Sequence, residues 1–186
     1  MALSAARGVT QVMHRCDYAK ETRYLDLSGC NMMYVADAIY MVLKGHQIAK
    51  VSLANNDLKK FPSKMTKKFP ELMCLNLSGN KVTEIPDDIL EWTNLGALNL
   101  SGNKFTQFPE VIYKLKNLKL LDISNNEIQN IDIPRLFTEL PLLKILDISN
   151  NTFPEDTIIE ILSYQATHAP GVQIKHWPAP ETEPVS

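Results

Sequence analysis

Leu98-Asn99-Leu100-Ser101-Gly102-Asn103-Lys104-Phe105 decides the fold, because the same order of apolar and polar residues recurs along most of the chain. The pattern, Leu-x-Leu-x-x-(Asn/Cys)-x-apolar, registers six times. It runs from Leu25-Asp26-Leu27 to Cys30, from Val51-Ser52-Leu53 to Asn56, from Leu75-Asn76-Leu77 to Asn80, and from Leu98 to Asn103. Two further copies run from Leu121-Asp122-Ile123 to Asn126 and from Leu146-Asp147-Ile148 to Asn151. Successive Asn/Cys positions lie 26, 24, 23, 23 and 25 residues apart. So narrow a period signals units that stack rather than fold singly.

Each unit carries further anchors, such as Val82, Ile85-Pro86, Ile89 and Leu95, or Phe105, Phe108-Pro109, Ile112 and Leu118. One unit cannot cover these residues by itself, so neighbouring strands must lie in parallel about 4.8 Å apart and share a core. The expected fold is an α/β right-handed solenoid, a short horseshoe with a parallel sheet on its concave side. At the bend after each strand, a buried Asn amide can donate to carbonyls of adjacent coils that would otherwise stay unpaired. Asn56, Asn80, Asn103, Asn126 and Asn151 are assigned to this structural ladder, with Cys30 as a weaker donor in the first unit.

The units resemble leucine-rich repeats, whose period is about 20–29 residues. The half-turns Phe61-Pro62, Ile85-Pro86 and Phe108-Pro109 resemble those of the small intracellular subfamily, and Val51–Leu58 and Phe61–Leu77 add to the likeness. The resemblance spans about Thr22 to Phe153. It implies a protein-interaction role and offers no catalytic residue to carry over.

A solenoid exposes its core at both ends, and atypical terminal units are expected to cover it. Residues 1–21 are assigned to an N-terminal capping helix, 22–153 to the six repeats, 154–177 to a C-terminal cap and 178–186 to a disordered tail. In the first cap Val9, Val12, Met13 and Cys16 fall at helical spacing, Ser4 is a candidate N-cap, and Arg7, Gln11 and Arg15 are assigned to water. In the second, Pro154-Glu155-Asp156 opens a helix with Ile158, Ile159, Ile161 and Leu162 on its apolar face, and Val172–Trp177 reads as a last strand. Ala38–Leu43 reads as a short helix within the irregular first repeat.

The 186 residues include 19 basic and 21 acidic side chains, a net charge of −2 that argues against nucleic acid or an anionic membrane as a general partner. Three cysteines (Cys16, Cys30 and Cys74) and no apolar run of membrane-spanning length point to a cytoplasmic chain without integral membrane contact. Arg7 interrupts any early signal-like run, so the Asn-x-Ser/Thr triplets at Asn76, Asn99 and Asn150 read as parts of the repeat. No Cys/His metal set, phosphate loop or catalytic triad spacing is found. The expectation is therefore a non-enzyme, without cofactor or metal, that acts as a monomer on protein partners.

Strand residues flanking the buried ones should face the concave side. One outward column reads Asp26, Ser52, Asn76, Asn99, Asp122 and Asp147, and another Tyr24, Lys50, Cys74, Ala97, Leu120 and Ile145. Leu120 and Ile145, expected to be exposed and rimmed by Lys119, Lys144, Asp122 and Asp147, make an apolar centre with a charged rim. The candidate partner-binding residues are Asp26, Asn76, Asn99, Leu120, Asp122, Ile145 and Asp147. On the loop-bearing side, the basic group Lys59, Lys60, Lys64, Lys67 and Lys68 offers an alternative reading, a peripheral membrane or phosphate-binding module. Attraction across that face to Glu84, Asp87, Asp88 and Glu91 of the next unit is also expected.

Overall fold

The computed structural model describes residues 2–176, with side chains from residue 8 onward. Ser4 and Arg7 as side chains, Trp177, and the 178–186 tail lie outside the described residues. Seven strands stand in chain order in one parallel sheet: β1 (Tyr24–Asp26), β2 (Lys50–Ser52), β3 (Cys74–Asn76), β4 (Ala97–Asn99), β5 (Leu120–Asp122), β6 (Ile145–Asp147) and β7 (Gln173–Lys175). Their middle residues, Leu25, Val51, Leu75, Leu98, Leu121, Leu146 and Ile174, align in a single row. The first six of these are buried, and so are Leu27, Leu53, Leu77, Leu100, Ile123 and Ile148 just beyond each strand. The core therefore runs the length of the stack and is not divided among the coils.

The bend after each strand explains the polar residues within this apolar frame. Asn103 donates its amide to the carbonyls of Leu77 in the preceding coil, 2.9 Å, and Leu100 in its own, 3.0 Å, while its Oδ1 accepts from the Val82 amide at 3.0 Å. Asn56, Asn80, Asn126 and Asn151 repeat the arrangement from coil to coil. The residue before each ladder position has a left-handed backbone, and it is always Gly or Asn: Gly29, Asn55, Gly79, Gly102, Asn125 and Asn150, with φ between 54° and 64°. These are the residue types that adopt that conformation at least cost. At Gly79 a Cβ would also lie 2.4 Å from the Asn55 Oδ1.

The return path of each coil is short and varies in type. It is α2 (Asp37–Val42) and α3 (Lys64–Lys68) in the first two coils, 3₁₀ turns over Asp87–Glu91 and Glu110–Lys114 in the next two, and α4 (Ile133–Glu139) in the fifth. Pro86 and Pro109 stand directly before the two 3₁₀ turns, where a fixed φ suits entry and no amide is required. Trp92, 1% exposed, packs edge-on against Phe61 and donates its indole N–H to the Phe69 carbonyl at 2.9 Å. The largest side chain of the core thus keeps its one polar atom paired.

The caps depart from the sequence expectation in particular residues. In α1 (Ala2–Thr22) the core-facing stripe is Val12, Cys16 and Ala19, whereas Val9 and Met13 are exposed. The stripe follows an i, i+4, i+7 track, and Val9 and Met13 lie beside it. Arg15 was assigned to water but turns inward. Its Nη1 donates to the carbonyls of Asp26 at 3.1 Å and Ser28 at 2.7 Å and reaches the Cys30 sulfur at 3.5 Å. The reason is positional: the equivalent carbonyls of Asn76 and Ser78 accept from the Leu53 and Asn55 amides of the preceding coil, and Asp26 and Ser28 have no preceding coil to supply such amides. Cys30 stands at the ladder position of the first coil with a thiol in place of the amide. It is only half-buried, its thiol meets the Ser28 carbonyl at 3.5 Å, and its backbone amide donates to Asn56. At the far end α5 (Glu155–His168) buries Ile161 fully, with Ile158 and Leu162 partly covered, but leaves Ile159 exposed.

Two substitutions test this framework. Asn103→Ala strips the Val82 amide of its acceptor and is expected to lower the unfolding free energy by about 1–3 kcal/mol, measured by urea denaturation. Arg15→Ala is expected to cost about 1–3 kcal/mol for the same reason, and hydrogen exchange should show the loss concentrated at β1 and not spread along the stack.

Candidate functional site

The concave face is the outer surface of the sheet, and its two columns have different characters. In the column of Asp26, Asn76, Asn99, Asp122 and Asp147, each Oδ1 accepts from the backbone amide of the Ser two residues on, at 2.9, 2.9, 2.9, 3.0 and 3.1 Å. Ser28, Ser101, Ser124 and Ser149 add their hydroxyls to the same oxygens. Asp or Asn is therefore placed here first of all to close the strand into its bend. Sequence alignment found the column but not this local work. The Asp/Asn-x-Ser spacing was the signal that could have shown it.

What remains of these side chains engages neighbours along the sheet. Asn99 donates to the Asp122 Oδ2 at 3.0 Å, Arg15 lies 3.8 Å from Asp26, and Lys175 lies 3.8 Å from Asp147. Asp122 and Asp147 do stand opposite each other in register, but each is drawn to a different partner. Burial alone would raise the Asp26 carboxyl, yet the Ser28 hydroxyl and amide and the Arg15 guanidinium outweigh it and hold the carboxyl below its ordinary value.

The second column sets the relief of the surface. Tyr24, Lys50, Cys74, Ala97, Leu120, Ile145 and Gln173 follow one another across the sheet, with large side chains at the ends and small ones in the middle. A shallow hollow of about 570 Å³ results, floored by Cys74 and Ala97 and bounded by Arg23, Tyr24 and Lys50 on one side and Leu120 on the other. Leu120 and Ile145 are half-buried, not exposed as expected, because each is flanked by strands on both sides, Ile145 by β7 beyond it. Tyr24 keeps 38% of its surface open and Met73, one residue ahead of the column, 50%. Arg23 and Met73 were not among the sequence candidates, since both lie one residue ahead of their strands, outside the repeated strand pattern.

The loop-bearing side also differs from expectation. The acids of the third coil do not reach back to the lysine group: Asp87 pairs with Lys114 of the following coil at 3.7 Å, and Glu91 accepts from the Thr66 hydroxyl at 2.9 Å. Among the described residues, Lys64 alone of the lysine group is in an ion pair, with Asp37 at 2.5 Å. Among the described residues there is no cluster of three or more potential metal ligands, and no helix is long and apolar enough to cross a membrane.

The repeat, the sheet and the ladder together define a leucine-rich repeat protein. The family profile described as leucine rich repeat matches residues 46–105 and 106–153, and the chain belongs to that family. It is similar to Leucine-rich repeat-containing protein 20 of Mus musculus, 33% identical over 91 residues, which cover 48% of this chain and 48% of the mouse protein. The likeness to the Homo sapiens protein of the same name is 32% over 99 residues, 52% of this chain and 53% of that one. The matches thus span about half the length of these relatives. Among solved structures, a leucine-rich repeat protein of Leptospira interrogans superposes with a TM-score of 0.65 at 28% identity, covering 81% of this chain and 36% of that one. Internalin C2 of Listeria monocytogenes shares the fold with a TM-score of 0.54 at 21% identity, over 75% of this chain and 58% of that one. Proteins of this family are in general non-enzymatic modules for protein–protein interaction.

The lowered Asp26 carboxyl sets a pH dependence. A depressed folded value contributes stability that is present above the unfolded carboxylate value of about 4 and is lost as pH falls through the folded value. Asn can keep the bond to Ser28, as Asn76 does to Ser78, so Asp26→Asn removes the charge alone. The wild type is expected to exceed this variant by up to about 1 kcal/mol near pH 6, with the gap closing below about pH 4 in parallel thermal melts.

Proposed function

We propose that the protein is an adaptor or scaffold whose concave sheet face receives a protein partner. Asp26, Asn76, Asn99, Leu120, Asp122, Ile145 and Asp147 contribute to the contact in this reading. The observation that carries it is the hollow over Cys74 and Ala97. It is shallow, its floor is apolar, and it is bordered by Tyr24 and Arg23, residue types enriched where binding energy concentrates. Leu120 and Ile145 continue the apolar floor toward the C-terminal strands, with Lys119 and Lys144 exposed at the rim. The partner segment this surface suits carries an apolar side chain for the hollow and an acid for Arg23 and Lys50. Three free cysteines support placing this work in a reducing, cytoplasmic compartment, with the chain acting as a monomer.

Two variants test the placement by crosslinking affinity capture from cytosolic extract, after melting curves show that both are folded. Ala97→Arg fills the hollow, and Leu120→Asp with Ile145→Asp puts charge on the apolar strip. Each is expected to lower recovery of the same specific partner by 10-fold or more, a loss of about 1.4 kcal/mol or greater. Equal recovery by wild type and both variants would remove the concave face as the site.

A further inference from the structure

The loop-bearing surface of the first two coils combines two features that the stack shows nowhere else together. The first is charge. Lys81 pairs with Asp57 at 2.6 Å, Lys104 with Glu127 at 3.6 Å, Lys114 with Asp87 at 3.7 Å and Lys116 with Glu139, each reaching a carboxylate of a neighbouring coil. Lys59, Lys60, Lys67 and Lys68 are exposed and have no carboxylate partner among the described residues. Of the nearby acids, Asp37 is engaged by Lys64 and Asp57 by Lys81, while Glu71, Glu84 and Glu91 form no ion pair with these four lysines among the described residues.

The second feature is apolar exposure. Met41, Tyr34 and Met33, at 75%, 74% and 68%, are the most exposed large hydrophobic side chains among the described residues, and all belong to the first coil. Register brings them against the lysines. The Asp57 amide donates to the Met32 carbonyl at 2.8 Å, and the amides of Met32 and Leu58 meet successive ladder asparagines, so Met32 and Leu58 are equivalent positions. By continuation Met33 stands beside Lys59 and Tyr34 beside Lys60. Lys64, bonded to Asp37 at 2.5 Å and 5.8 Å from the Tyr40 ring centre, ties α3 to α2. Ile39 and Met65 are buried at matching places, so Met41 near the end of α2 falls beside Lys67 and Lys68 at the end of α3.

We propose that this outer surface of the first two coils docks on an anionic phospholipid bilayer. Unpaired lysines are flexible point charges that need no bidentate geometry, which suits a fluid layer of anionic headgroups. Met33, Tyr34 and Met41 project from a convex surface and can enter the interfacial layer without requiring a complementary groove. The acids of the third coil, Glu84, Asp87, Asp88 and Glu91, end the footprint, so the contact is confined to the N-terminal end of the stack. The concave hollow stays open in this orientation, and the proposal does not depend on the reading of that face.

The test is vesicle sedimentation of the full chain with phosphatidylcholine vesicles and with vesicles that also contain phosphatidylserine. Partitioning is expected only to the anionic vesicles and is expected to weaken steeply as salt is raised. Reversing charge in the quadruple variant Lys59→Glu, Lys60→Glu, Lys67→Glu, Lys68→Glu is expected to lower partitioning on the order of 100-fold or more, since each lysine near the surface contributes about 1 kcal/mol. The triple variant Met33→Ser, Tyr34→Ser, Met41→Ser keeps every charge and is expected to lose about 10-fold or more. Both sets lie on the surface, and unchanged melting temperatures exclude misfolding. No partitioning of the wild type at low salt overturns the proposal. So does a loss seen with the lysine variant but not the apolar one, which would identify a binder of soluble anions and not of a bilayer. Because these variants leave Ala97 and Leu120 intact, partner capture through the concave face is expected to persist in both.

Discussion

Every coil of this chain turns sharply where strand gives way to loop, and the carbonyls at that turn have no strand partner. The whole stack depends on meeting that need inside an apolar core. A side-chain amide does it because one Asn donates to the carbonyl of its own coil and to that of the coil before, while its oxygen receives an amide from the loop. The same group therefore closes the bend and fixes the spacing of neighbours. Parallel register, the common core and the left-handed residue ahead of each Asn all follow from keeping this geometry in every coil.

The same constraint explains the N-terminal end, where it fails. The first coil has no predecessor to offer backbone amides to the Asp26 and Ser28 carbonyls, as Leu53 and Asn55 do for Asn76 and Ser78, and Arg15 of α1 supplies the missing donors. A guanidinium carries enough donors to serve Asp26, Ser28 and Cys30 from a single side chain. Its charge also draws on Asp26, so the cap and the concave column are linked at this one residue. The helix thereby covers an otherwise open sheet edge, a position that invites association with other strands.

The concave and outer faces are free of this constraint and diverge. On the concave side the polar column is largely consumed by the bends, which leaves the second column to vary in size and create relief. On the outer side, ion pairs between successive coils neutralise many of the lysines, and the ones left over gather beside the first coil's exposed methionines and tyrosine. The relief and the unpaired charge of such a scaffold come from residues that the ladder and the bends do not use.

The repeat, the buried row and the ladder were legible from residue order, because a period of 23–26 residues with fixed apolar spacing permits no other way of covering the core. Which side chains are accessible was not. Val9, Met13 and Ile159 share the periodicity of core residues but lie outside it, and Arg15 shares that of solvent residues but lies within, because the docking angle of a terminal helix is set by the coil beneath it. The sequence by itself determined the stacking unit, since local pattern and hydrophobic burial agree in every copy. Only the tertiary structure decided where a hollow opens, which edge needed capping and which charges went unpaired, since each depends on neighbours two dozen residues away in the chain.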